Sequence, residues 1–171
     1  LIIDDGLLGV TLFAMPLGMF ISLPISGLLT EKYSSRKMAI TGIVSYGLTL
    51  LCITFCQNVF QLAMGVFFSG IFYSIVNVSM NTQGSIAELN SGKKLLAFYH
   101  GIWSVAGFLG ALMGMSTVRY NISIFHHFLA VTCFSLICVG LVGKYLYRLP
   151  NLENTGRPFA IPEKSLLVLG F

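Results

Sequence analysis

Charge is what this sequence has least of. Only 9% of its 171 residues are Asp, Glu, Lys or Arg, against about 25% in an ordinary soluble domain. So little charge cannot coat a water-facing globule, and a soluble enzyme is excluded. The net charge of +4 is concentrated in short loops between apolar runs, as membrane orientation requires, and is not a nucleic-acid footprint, so no nucleic acid is expected as a partner. Acids are the scarcer sign, with six against ten bases, and none falls within an apolar stretch. That excludes an aspartyl intramembrane protease. No G-x-S-x-G is present, and Ser104 and His100 lie one turn apart on one helix, a poor geometry for a nucleophile and its base. No enzyme is expected. The four cysteines, Cys52, Cys56, Cys133 and Cys138, all sit in apolar stretches without zinc or disulfide spacing. Nothing calls for a metal or a cofactor.

What is present is hydrophobic length. Five apolar runs cover about 7–29, 38–56, 60–83, 95–118 and 123–146. A helix of about 20 residues crosses a hydrocarbon core of about 30 Å. The expected fold is therefore an all-α, polytopic membrane helical bundle. The gaps at 30–37 and 84–94, with the tail after 144, carry Lys32, Arg36, Lys37, Lys93, Lys94, Lys144, Arg148, Arg157 and Lys164. The alternate gaps, 57–59 and 119–122, carry only Arg119. Basic loops stay on the cytoplasmic side, so this alternation orients a multi-pass protein of the cell membrane, with Asp4 and Asp5 outside.

The chain lacks an initiator Met and closes on the short apolar stretch 165–171. The expectation is a fragment: a bundle over 1–148, a polar, proline-containing linker over 149–164, and the cut start of a further helix over 165–171. A missing C-terminal half of the same protein would be a partner, together with the bilayer and a small-molecule solute.

Two patterns carry function. The first is Gly27-Leu-Leu-Thr-Glu31-Lys32-Tyr-Ser34-Ser35-Arg36-Lys37. Gly27 would let two helices approach closely. The acid and the bases could pair with one another or with helix ends, holding one conformational state until a helix moves. The second pattern is a pair of polar stripes. Tyr73, Asn77 and Asn81 share one face of the third run; His100, Trp103, Ser104 and Gly107 share one face of the fourth. With the turn centred near Leu89, Asn77 and His100 would sit at about equal depth. An unpaired amide or imidazole in hydrocarbon costs on the order of 2–7 kcal/mol. These groups must face protein, water or a ligand, and polar groups inside a membrane are functional candidates by default. The fourth run also carries Gly107, Gly110, Ala111 and Gly114 at small-residue packing spacing. His126 and His127 read as interfacial.

The loop resembles the signature G-x-x-x-D-R-x-G-R-[RK] between the second and third helices of the major facilitator superfamily. Gly27 matches, Glu31 stands for Asp, Lys32 for Arg, and Arg36 takes the final basic position; Ser34 stands where Gly is usual and Ser35 where Arg is usual. Asn81-Thr-Gln-Gly84 and Phe98-Tyr-His100-Gly-Ile-Trp103-Ser104-Val-Ala-Gly107-Phe-Leu-Gly110-Ala111 resemble the YbjJ-type branch, distant relatives of the fucose:proton symporters. The resemblance implies helices two to six of a transporter's first half. The first, third and fourth runs seen here would line the cavity or the seam between the two halves, and the second and fifth would be peripheral. It implies alternating access to a small polar, possibly sugar-like solute, with Tyr73, Asn77, Asn81, His100, Trp103 and Ser104 at the substrate and Gly27, Glu31, Lys32, Arg36 and Lys37 in a gating loop. Proton-coupled relatives often place an acid four residues before the fourth-helix Asn. Asn77 holds that position here, so His100 inherits the proton-carrying role. The alternative is a non-transporting membrane sensor or assembly subunit with the same fold.

Overall fold

The computed structural model describes residues 4–147, and the expected linker and final apolar stretch lie outside the described residues. Five helices follow one another: α1 (Asp5–Tyr33), α2 (Ser35–Ile53), α3 (Val59–Ser91), α4 (Leu96–Arg119) and α5 (Ile124–Val142), closed by a 3₁₀ turn, Gly143–Tyr145. All five are long and apolar enough to span a membrane. The fold is an all-α membrane bundle.

Its interior inverts the rule for soluble proteins. Among the described residues the only buried hydrophobic side chains are Ala39 and Val66, while Ser26, Ser35, Ser74 and Ser79 are the bulkiest side chains fully enclosed. Large side chains such as Phe13, Phe20 and Phe134 point outward. Where the solvent is as apolar as leucine, helices gain by close packing of small residues rather than by hiding large ones. The hydroxyls are satisfied locally: Ser26 Oγ donates to the Ser22 carbonyl at 2.8 Å and Thr11 Oγ1 to that of Leu7 at 2.7 Å. Two pairs also bridge α1 to α3, Ser26 with Ser74 and Thr30 with Ser79, each at 3.2 Å.

The seam between α1 and α3 brings backbone against backbone. A Cβ placed on Gly18 would lie 2.2 Å from the Phe67 carbonyl oxygen, and one on Gly70 would lie 2.2 Å from that of Met15. Gly27, by contrast, has nothing within 4 Å of its would-be Cβ. The close approach expected there occurs nine residues earlier in the helix. α2 lies against the other side of α3 through Gly42 on Val76, and against α5 through Gly47 on Thr132. α4 stands apart. Only Thr117 is buried along it, and its Gly107, Gly110 and Gly114 meet nothing within 4 Å.

The connections are tighter than the gaps in hydropathy suggest. α1 runs through Pro16 and Pro24 to Tyr33, and Ser34 alone separates it from α2, with φ +79°. α3 extends past Gln83 to Ser91, at about 50 Å well beyond the hydrocarbon. Its end is set by Gly92 in the left-handed conformation, φ +65°. Glu88 Oε1 then accepts from the Leu95 and Leu96 amides, 2.8 Å for the latter, placing a carboxylate at the start of α4. At the opposite end His127 Nδ1 lies 2.8 Å from Thr117 Oγ1, joining α4 to α5.

Candidate functional site

Because α4 leans away from α3, a cavity of about 630 Å³ opens between them. Five of the six residues expected at the substrate line it: Tyr73, Asn77 and Asn81 from α3, His100 and Trp103 from α4. The 3.6-residue period puts the first three on one stripe. Asn81 Nδ2 donates to Asn77 Oδ1 at 3.1 Å. An aromatic file crosses the opening. Tyr46 and Tyr73 have ring centroids 6.2 Å apart, Tyr73 and Trp103 6.1 Å, and Trp103 and His100 6.0 Å. These rings are tilted rather than stacked, at 30–55°, so flat faces remain open to the cavity.

Three expectations change. Ser104 is exposed and outside the lining; its hydroxyl donates to the His100 carbonyl at 3.0 Å. A helix turns about 100° per residue, and the lining face of α4 centres on Tyr99 and Trp103, one position short of Ser104. The turn between α3 and α4 lies at 92–95 rather than near Leu89. Asn77 therefore precedes it by 15 residues, while His100 follows it by 5, and helical counting no longer puts them at equal depth. Finally, of the two places expected for the first run only the seam between the halves stays open: among the described residues α1 contributes nothing to the lining, its small face being packed on α3. The end of α5 and the 3₁₀ turn do contribute, through Val142, Tyr145, Leu146 and Tyr147.

Gln83, Tyr99 and the two tyrosines after α5 also line the cavity, although the polar stripes do not point to them. Gln83 sits within the Asn81-Thr-Gln83 triplet, so its motif is visible in the sequence. Tyr145 and Tyr147 are hidden at the end of a run that reads as lipid-facing wall. The lining is mostly apolar, and among the described residues it carries no Asp, Glu, Lys or Arg side chain.

The signature segment is a helix end and a helix start joined at Ser34. Glu31 and Lys37 are exposed, and Lys32 Nζ rests 5.2 Å over the Tyr33 ring. Among the described residues no ion pair links Glu31 to Lys32, Arg36 or Lys37 in this state.

The sequence pattern of the Major Facilitator Superfamily matches residues 1–168. The chain belongs to that family. It is 24% identical over 169 residues to an uncharacterized MFS-type transporter of Yersinia pestis, covering 99% of this chain and 44% of the relative. It is 25% identical over 164 residues to an uncharacterized transporter of Sinorhizobium fredii, covering 95% and 44%. A membrane protein of Rhizobium meliloti, MosC, matches at 25% over 154 residues, covering 90% and 36%. This chain spans less than half the length of these relatives. No solved structure matches it. A member of this superfamily is a multi-pass membrane protein, and the superfamily is generally non-enzymatic.

Proposed function

We propose that this chain is the solute-binding portion of the first half of a secondary transporter, working by alternating access against a second half. The observation that carries the reading is the convergence of Tyr73, Asn77, Asn81, His100 and Trp103 on one cavity in a chain of this superfamily. Transporter sites lie near the middle of the membrane at a repeat interface, and the halves rock around them. The lining suits a small polar solute that also presents a flat apolar face, such as a sugar. Trp103 and Tyr73 would lie along that face, and the Asn77 and Asn81 amides would hydrogen-bond its hydroxyls. His100, the only imidazole in the lining, would carry the coupled proton. The likeness to the YbjJ-type branch supports the same assignment. Gly27, Glu31, Lys32, Arg36 and Lys37 would gate the basic end, which faces the cytoplasm of an inner or plasma membrane.

The test is uptake of labelled neutral solutes, sugars first, by the full-length protein in sealed vesicles. Accumulation driven by an inward proton gradient and abolished by an uncoupler is expected. Failure to move any solute under any imposed gradient would overturn the reading and favour a sensor or assembly subunit.

A further inference from the structure

Gln83 is one of the few large polar side chains that are buried, 5% exposed, and every hydrogen of its amide is engaged. Its Nε2 donates to Ser35 Oγ at 2.8 Å and to the Tyr147 carbonyl at 2.9 Å, while its Oε1 accepts from the Tyr147 amide at 2.8 Å. The two bonds to Tyr147 use one residue's N–H and C=O together, as a neighbouring β-strand would. Only a carboxamide offers a donor and an acceptor side by side in that geometry. Ser35, fully buried, is the first residue of α2 and follows the single-residue break at Ser34. Tyr147 belongs to the segment Tyr145-Leu146-Tyr147, and this strap lines the cavity at the end of the bundle where the basic residues gather. One side chain thus fastens a wall of the cavity to the signature segment.

We infer that Gln83 is a positioning residue that latches this strap across the basic end of the cavity, and that its release opens the cavity to that side. The inference deepens the transporter reading and rests on it for its purpose, though not for its test. Buried amide bonds are costly to break singly, because the partner left behind is unsatisfied. Here one rotation of Gln83 would free Tyr147 N–H and C=O together, at a membrane end where water can take them over. The latch is therefore breakable in a way that the same bonds deep in lipid would not be. Its two anchors lie 48 and 64 residues away in sequence. A movement at the α1–α2 junction would therefore be felt directly by the cavity wall.

The experiment uses the full-length protein freed of native cysteines, with Met80→Cys as a reporter in the cavity. A membrane-impermeant maleimide is applied to vesicles from each side in turn. Gln83→Leu should speed labelling from the basic side about tenfold, the equivalent of one well-made hydrogen bond, and leave the rate from the other side unchanged. General loosening of the bundle would raise both rates equally. Bridging Gln83→Cys to Tyr147→Cys with a short thiol cross-linker, before labelling, should restore protection. Unchanged basic-side labelling in Gln83→Leu, equal increases from both sides, or no protection after cross-linking would each overturn the latch. Labelling needs no transported solute, so these outcomes are separable from a failure of the uptake assay.

Discussion

The α-carbon of Gly18 faces the carbonyl oxygen of Phe67 so closely that a methyl group on Gly18 would sit 2.2 Å from it. Backbone cannot step aside as a flexible side chain can. Overpacking commonly costs about 1–3 kcal/mol, and a contact with no yielding atom belongs at the upper end. Gly18→Leu should therefore lower the thermal melting temperature of the purified full-length protein sharply or abolish its folded yield. Gly27→Ala is the counterpart. With open space around that position, replacing a helical glycine should raise stability by about 0.5–1 kcal/mol. If both substitutions behave alike, the α1–α3 seam is misplaced.

Ser34 presents the opposite case, a residue where glycine would be better. Its φ of +79° is a conformation that L side chains rarely adopt, and holding one there costs on the order of 1–3 kcal/mol. Ser34→Gly should relieve that strain and raise stability by about 1 kcal/mol, read from the melting temperature at fixed detergent. A fall would mean that the Ser34 side chain contributes something the hydrogen bonds do not reveal.

These two sites mark the limits of what the sequence makes legible. The number of helices follows from hydropathy alone, because spanning length is fixed by the bilayer. Which glycine makes the contact does not follow, because Gly18 and Gly27 differ only in what lies opposite them. The lining stripe of α3 is legible because an i, i+4 polar repeat is costly in an apolar run unless it faces a cavity or a partner helix. Ser104 falls off the lining because a stripe defines a face only to within about one residue, roughly 100° of rotation. The turn comes later than Leu89 because Gly84 to Ser91 is polar enough to leave the membrane yet regular enough to stay helical. Hydropathy marks the membrane boundary, whereas Gly92 and the Glu88 carboxylate mark the helix boundary. Tyr147 is tied to the end of α3 by tertiary bonds to Gln83, which no local pattern encodes.

Trp103 and Ser104 separate lining from mere proximity. Trp103 meets Tyr73 of α3 and, one turn back on its own helix, His100; the Ser104 hydroxyl bonds only to its own helix. An aromatic contact contributes about 0.5–1.5 kcal/mol beyond the area it buries. Trp103→Ala should reduce solute uptake by the full-length protein about tenfold, chiefly through a weaker apparent affinity, and Trp103→Phe should retain most of it. Ser104→Ala should stay within about twofold of the parent, since it removes only a bond to the preceding turn. The reverse ranking in vesicle uptake would place the solute on a different face of α4.

The orientation of the bundle can be tested without any solute. Gln83 bonds to both Ser35 and Tyr147, so the α1–α2 junction, the end of α3 and the end of α5 meet at one end of the bundle. That end carries Lys32, Arg36, Lys37, Lys93, Lys94 and Lys144, whereas the other end carries Arg119. Short loops rich in lysine and arginine are retained in the cytoplasm, so the hydrogen bonds and the charge bias define the same axis independently. Single cysteines in place of Ser34 or Gly92 should react with an impermeant thiol reagent only when the cytoplasmic face is exposed. Cysteines in place of Gln57 or Asn121 should react only from outside. Any pair drawn from opposite groups that labels from a common face would break the alternation. It would also dissolve the strap and the signature segment as features of one side.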